Sequence, residues 1–160
     1  AMLAGTGRKD VVDQAKRALS RARAAFTQMS SDAQDDLAFG YTERQLYFHE
    51  GDALVRLGET IQADAVLQQA LAKYGPSEWL DPTLIRFDRA RCKLLEGEIE
   101  EAARMALQTW NSLEAAYRTD IVVRRANDLI RQAEKAAGTD RIPELQELKE
   151  AVMSRSRAEA

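Results

Sequence analysis

The sequence predicts an all-α protein, and three observations carry that expectation: an alanine- and leucine-rich composition, apolar residues recurring at three- and four-residue steps, and start and stop signals at helical spacing. Alanine occurs 27 times and leucine 17, against 13 valines and isoleucines together, in 160 residues. Eight glycines and three prolines leave little punctuation for a many-turned β structure. A chain of this length makes one domain and buries roughly 70% of its unfolded surface.

The elements follow in order. Val11, Val12, Ala15, Ala18, Leu19, Ala22, Ala25, Phe26 and Met29 give a helical pattern over 9–29. Ser30-Ser31-Asp32 stops it and caps a short turn from Ala33 to Phe39, which Gly40 ends. Thr42-Glu-Arg-Gln45 is a capping box that starts a helix running to Leu57 and Gly58. A helix from Ile61 to Tyr74 stops at Gly75-Pro76. Asp81 as N-cap and Pro82 at the first helical position open the next, which breaks at Gly97. Ile99 to about Tyr117 follows, then Asp120 to Ala137, ended by Gly138-Thr139-Asp140, and Pro143 opens a last helix towards Ser154. The count is about seven helices. Ala1-Met2 reads as a tag remnant, residues 1–8 as a disordered leader, 9–153 as a single helical repeat domain and 154–160 as a frayed tail.

The rare residues exclude chemistries. A net charge of −3 with 31% charged residues of mixed sign does not make a nucleic-acid surface. His49 alone cannot build a histidine metal cluster, and Cys92 alone makes neither an intramolecular disulfide nor a Cys-x-x-Cys site. No paired-carboxylate, nucleophile or phosphate-loop arrangement is present; Glu98, Glu100 and Glu101 suit a helix N-terminus, with Glu100 four residues before Arg104. The expectation is a protein with no catalytic residues, metal or cofactor, cytoplasmic, and off the membrane because no apolar run approaches the ~18 residues of a span.

Two helix pairs share an internal register. The first reads Tyr47, Gly51, Leu54, Gly58, Ala63, Leu67, Ala70, then Gly75-Pro76. Small residues at Gly51 and Ala63 fit where two antiparallel helices cross, Gly58 supplies a positive φ for the turn, and Tyr47 and Leu54 fill the space towards the next pair. Aligning Gly97 with Gly58 places Ala90 on Gly51, Ala102 on Ala63 and Ala106 on Leu67, with Phe87, Leu94 and Ile99 supplying bulk. The step is 39 residues, and the loop from Gly75 to Pro82 absorbs the excess over the usual 34-residue repeat. A weaker third pair has Ala126 at the small position and Leu145, Leu148 and Ala151 on the returning helix. The order of bulky, small and turn positions is tetratricopeptide-like. The helix over 9–29 has the spacing of a returning helix, as in a domain taken from a longer array.

Three stretches resemble something narrower: Phe39-Gly-Tyr-Thr-Glu-Arg-Gln-Leu-Tyr-Phe-His-Glu-Gly-Asp-Ala-Leu54, Trp79-Leu-Asp-Pro-Thr-Leu-Ile-Arg-Phe-Asp-Arg-Ala90 with the Gly97 turn and Glu100-Glu-Ala-Ala-Arg104, and Ile142-Pro-Glu-Leu-Gln-Glu-Leu148. Together they resemble the C-terminal tetratricopeptide-like region of actinobacterial Xre/Cro-type helix-turn-helix transcriptional regulators. The resemblance implies a sensory or interaction half that binds a peptide, small ligand or protein, dimerises, and relays the event to a DNA-reading domain. No helix-turn-helix segment precedes residue 10, so no direct DNA binding is expected of these residues. The alternative is a stand-alone protein–protein adaptor.

Projecting the register onto a concave groove puts Gln45, Phe48, Asp52, Val55 and Arg56 there from the first pair, Leu84, Phe87, Arg91 and Leu94 from the second, and Val123, Asn127, Ile130 and Arg131 from the third. Asn127 can hold a peptide amide with one donor and one acceptor, while Arg91 and Arg131 can grip carboxylates bidentately. Phe48, Phe87 and Ile130 would receive apolar side chains. The plain alternative is a row of solvated scaffold positions. Similarly, His49 reads as a half-buried hydrogen-bonding residue, Cys92 as packing, Lys16, Arg17, Arg21 and Arg23 as a solvated face, and Trp79 as a seal on its loop.

Overall fold

The computed structural model describes residues 3–29, 41–137 and 142–158. Among them are seven α-helices, one 3₁₀ turn and no strand: α1 (Leu3–Gln28), α2 (Glu43–Leu57), α3 (Thr60–Leu71), α4 (Leu80–Leu95), α5 (Ile99–Asn111), the 3₁₀ turn Ala115–Tyr117, α6 (Asp120–Ala137) and α7 (Pro143–Ala158). The expected turn from Ala33 to Phe39, the Gly40 break and the Gly138-Thr139-Asp140 stop lie outside the described residues. Helix α1 begins at Leu3, within the stretch read as a leader, and α7 continues past Ser154.

The repeat register is written into the backbone. Gly58 has φ 80° and Gly97 φ 87°. Gly58 N donates to Val55 O at 3.1 Å and Glu59 N to Leu54 O at 3.0 Å. Thirty-nine residues on, Gly97 N donates to Leu94 O at 3.1 Å and Glu98 N to Lys93 O at 3.0 Å. Both are the same left-handed C-cap, and each is followed by a glutamate that starts the returning helix through a bond from Ala63 or Ala102. At the first crossing the register is refined: Gly51 leaves room for Leu67 rather than for Ala63, since a Cβ on Gly51 would stand 2.5 Å from Leu67 Cγ.

Three further helix ends differ from expectation. The Thr42 capping box forms as read: Gln45 Oε1 accepts from Thr42 N at 2.8 Å, and Thr42 Oγ1 accepts from Gln45 N at 3.4 Å. Helix α4, however, begins at Leu80 with Trp79 at its N-cap, so Asp81 sits inside the first turn and accepts the Tyr74 hydroxyl at 3.0 Å. Helix α3 ends at Leu71, not Tyr74. Helix α5 ends at Asn111, not Tyr117: Ser112 Oγ donates to Thr109 O at 2.8 Å, Glu114 is extended, and Leu113 thereby turns into the core.

Helix α4 is the hub, packing against α2, α3, α5 and α6. Its Leu84, Ile85, Phe87, Ala90, Cys92 and Leu94 are buried with Leu67, Trp110, Val122 and Leu148 from its neighbours. The alanines Ala63, Ala70, Ala90, Ala102, Ala106 and Ala126 are completely buried, as helix crossings require. Helix α1 is the contrast: none of its described side chains is buried. Leu19 packs partly on the core, and Lys16–Glu59 (2.8 Å) and Arg23–Glu50 (2.7 Å) tie α1 to the first pair. None of the helices is long and apolar enough to cross a membrane, among the described residues.

Candidate functional site

The first helices of the three pairs, α2, α4 and α6, lie side by side, and their polar side chains reach across the seams. Arg125 on α6 donates from Nη1 to Asp88 Oδ1 on α4 at 2.8 Å and to Asp52 Oδ1 on α2 at 3.1 Å. Arg56 Nε, one turn along α2, holds the other Asp52 oxygen at 2.9 Å. One guanidinium therefore clasps three helices.

The two carboxylates of this clasp respond oppositely to their surroundings. Asp88 is 0% exposed, and its Oδ2 has no hydrogen-bond partner. Burial pushes its carboxyl up to about 7, with the Arg125 charge opposing and Asp52 adding to the rise. Burial also acts on Asp52, but hydrogen bonds from Arg56 and Arg125 outweigh it and hold that carboxyl below the usual range.

A second polar bridge crosses the α4–α6 seam. Arg91 Nε donates to Gln132 Oε1 at 3.1 Å, and Gln132 Nε2 donates to the Asp128 carbonyl at 3.0 Å. Arg131 pairs instead with Asp128 on its own helix. Asn127 is half-buried, and its amide makes no hydrogen bond among the described residues.

Several groove positions are thus corrected. Phe48, Val55, Leu84, Phe87, Leu94 and Ile130 are buried core residues, closed to a ligand's side chains. A helical stripe of residues spans both the groove and the seam behind it, and the large apolar side chains turn into the seam because burial there removes most apolar area from water. Gln45 is engaged in the capping box. Asp52, Arg56, Arg91, Asn127 and Arg131 remain on the face, with Val123 half-buried among them. Arg125 and Asp88, the residues that join the helices, had no place in the projected groove. Their signal was two opposite charges at apolar-flanked helix positions, which becomes an ion pair only once the pairs are stacked.

His49 is exposed, not half-buried, and its ring lies between Tyr41 (centroids 6.1 Å apart) and Phe48 (5.5 Å). Cys92 is buried, and burial pushes its thiol up to about 12, which leaves it unreactive as a nucleophile. Arg104 pairs with Glu101 at 2.7 Å rather than with Glu100. In the basic cluster, Lys16 and Arg23 are engaged in ion pairs while Arg17 and Arg21 are exposed.

Trp79 stacks on Tyr117 with centroids 4.6 Å apart, tying the long loop to the 3₁₀ turn. Beneath them a cleft of about 820 Å³ runs between α3 and α5, with Pro82, Thr83, Arg86 and Arg89 of α4 on its lining. Two of its charges are engaged within the protein, Arg89 with Asp64 at 2.7 Å and Glu78 with Arg44 at 2.7 Å.

Comparison of the chain with protein-family models, with curated proteins and with solved structures finds no match.

Proposed function

We propose that this chain is a non-enzymatic interaction domain, the part of a cytoplasmic transcriptional regulator that binds a peptide, small ligand or protein through the α2–α4–α6 face. The observation that carries the reading is the continuity of that face. Arg125 clasps Asp52 and Asp88 across three helices, so the polar groups are held in fixed positions and a partner meets a preformed surface. Helix-pair repeats use such extended surfaces for binding. The link to transcription rests on the resemblance over the capping-box, Trp79-to-Ala90 and Ile142-to-Leu148 stretches, many of whose residues also serve packing. A homodimer through a terminal helix pair belongs to the same reading, since regulators of paired half-sites are commonly two-fold dimers.

A thermal-shift screen of peptides and small acids on this chain tests it, because a ligand of the native state raises the melting temperature. The expected result is a hit whose effect disappears when Arg91 or Asn127 is truncated. Sequence-specific binding of duplex DNA by this chain at physiological salt would contradict the assignment.

A further inference from the structure

We propose that the cleft under Trp79 and Tyr117 binds a small aromatic molecule carrying one negative charge, its ring against the apolar walls and its anion on Arg86. The site is separate from the α2–α4–α6 face. Arg86 lines the cleft between α3 and α5, whereas Arg91 bonds to Gln132 of α6. Five residues separate the two arginines, about 140° around the helix.

Two departures from the repeat register meet in this cleft. Helices α3 and α5 both stop early, at Leu71 and Asn111. The long loop from Gly75 then carries Trp79, and the 3₁₀ turn after α5 carries Tyr117 to stack on it. The space between α3 and α5 measures about 820 Å³, the size of a small-molecule site. Leu71, Tyr74, Pro82, Met105 and the Trp79–Tyr117 pair give it walls rich in rings, with a thioether that favours contact with an aromatic guest.

Most polar groups of the lining are spent within the protein. The Tyr74 hydroxyl donates to Asp81 at 3.0 Å, Thr83 to the Trp79 carbonyl at 2.6 Å, Thr109 to the Met105 carbonyl at 2.8 Å and Ser112 to the Thr109 carbonyl at 2.8 Å. Glu78 is held by Arg44 and Arg89 by Asp64. Arg86, Gln108, Glu114 and the Tyr117 hydroxyl make no hydrogen bond or ion pair among the described residues. Of these, Arg86 supplies the positive charge that an anion takes through charge-assisted bonds, and Gln108 and Tyr117 add neutral donors. Glu114 opposes a second negative charge, which sets the ligand's charge at one.

The test is a titration of the full chain, labelled with ¹³C in its methionine methyl groups, with 2-naphthoate, 2-naphthamide, 2-naphthylmethylamine and octanoate. Met105 lines the cleft, and Met153, exposed on α7, reports non-specific binding. 2-Naphthoate should move the Met105 resonance saturably and leave that of Met153 in place. The neutral amide should bind at least about threefold more weakly, the modest ratio expected of an exposed cation. Arg86→Gln should bring 2-naphthoate down to the amide's affinity while leaving the amide within about twofold. Arg124→Gln, at an exposed arginine of α6, should change neither. An unmoved Met105, or Met105 and Met153 moving together, would overturn the proposal. So would 2-naphthoate binding that Arg86→Gln leaves intact, or binding of the amine or of octanoate as tight as that of 2-naphthoate.

Discussion

In the pair α2/α3 the helices cross with Gly51 under Leu67; in α4/α5 the equivalent positions hold Ala90 and Ala106, both fully buried. Both pairs turn on a left-handed glycine, with φ 80° at Gly58 and 87° at Gly97. The two pairs thus keep one register and fill its equivalent positions differently, glycine and leucine in one and two buried alanines in the other. A repeat register fixes where the helices meet, while the sizes at the meeting point trade against each other.

The clasp that joins the pairs should show the largest effect. Arg125→Ala leaves buried Asp88 without its ion-pair partner, and loss of one partner of a buried pair costs about 3–5 kcal/mol. The pH dependence follows from the direction of the Asp88 shift. Its carboxyl is raised to about 7 in the folded chain, so the native state holds the proton more tightly than the unfolded one. Stability should therefore rise as pH falls from 8 to 6, through the folded value towards the ordinary carboxylate range. The deficit of Arg125→Ala should narrow over the same interval, because a protonated Asp88 no longer needs the cation. Denaturant unfolding of both proteins at pH 6 and pH 8 checks this. A deficit that widens at pH 6 would break the account of the clasp.

Overpacking comes next. Gly51→Leu should cost on the order of 1–3 kcal/mol or more, and Ala90→Leu a comparable amount, since both positions face a closed crossing. A neutral shift in melting temperature at either would show that the register is misplaced there.

The turns give a smaller and more symmetrical effect. Gly58→Ala and Gly97→Ala each force a Cβ into the left-handed region, at roughly 1–2 kcal/mol per site. The space around both glycines is open, so the two costs should agree. Thr42→Ala should lose about 1 kcal/mol through the capping box, whereas Trp79→Ala removes no side-chain cap from α4. Melting curves of the four variants rank these effects.

Most of the fold was legible in the sequence because its signals are local. The Thr42–Gln45 box, the Gly58 and Gly97 turns and the small residues at the crossings all act within one helix pair. What escaped was decided by packing between pairs. Asp81 reads as an N-cap beside Pro82, yet the chain enters the helix earlier, and its carboxylate serves Tyr74. Phe48 and Phe87 share a stripe with groove residues, and only the rotation between stacked pairs sends them into the seam. Arg125 is 73 residues from Asp52 and 37 from Asp88, so no periodicity links them. Arg91 and Asn127 were legible as candidate grips; that Arg56, Arg125 and Arg131 are engaged with Asp52, Asp88 and Asp128 was not, because it depends on which acids the folded helices bring within reach.

The exchange of volume between the two crossings can be measured by one double-mutant cycle. Leu67→Ala converts the first crossing towards the alanine-on-alanine form of the second, at about 2–5 kcal/mol for the cavity it leaves. Gly51→Ala is then compared in the parent and in the Leu67→Ala background by equilibrium unfolding. In the parent the new Cβ meets Leu67 and should destabilise by about 1–3 kcal/mol. In the Leu67→Ala background that cost should vanish, or reverse by roughly 0.5–1 kcal/mol through the better helix propensity of alanine. The same destabilisation in both backgrounds would mean that Gly51 and Leu67 do not share the crossing, and would contradict the equivalence of the two pairs.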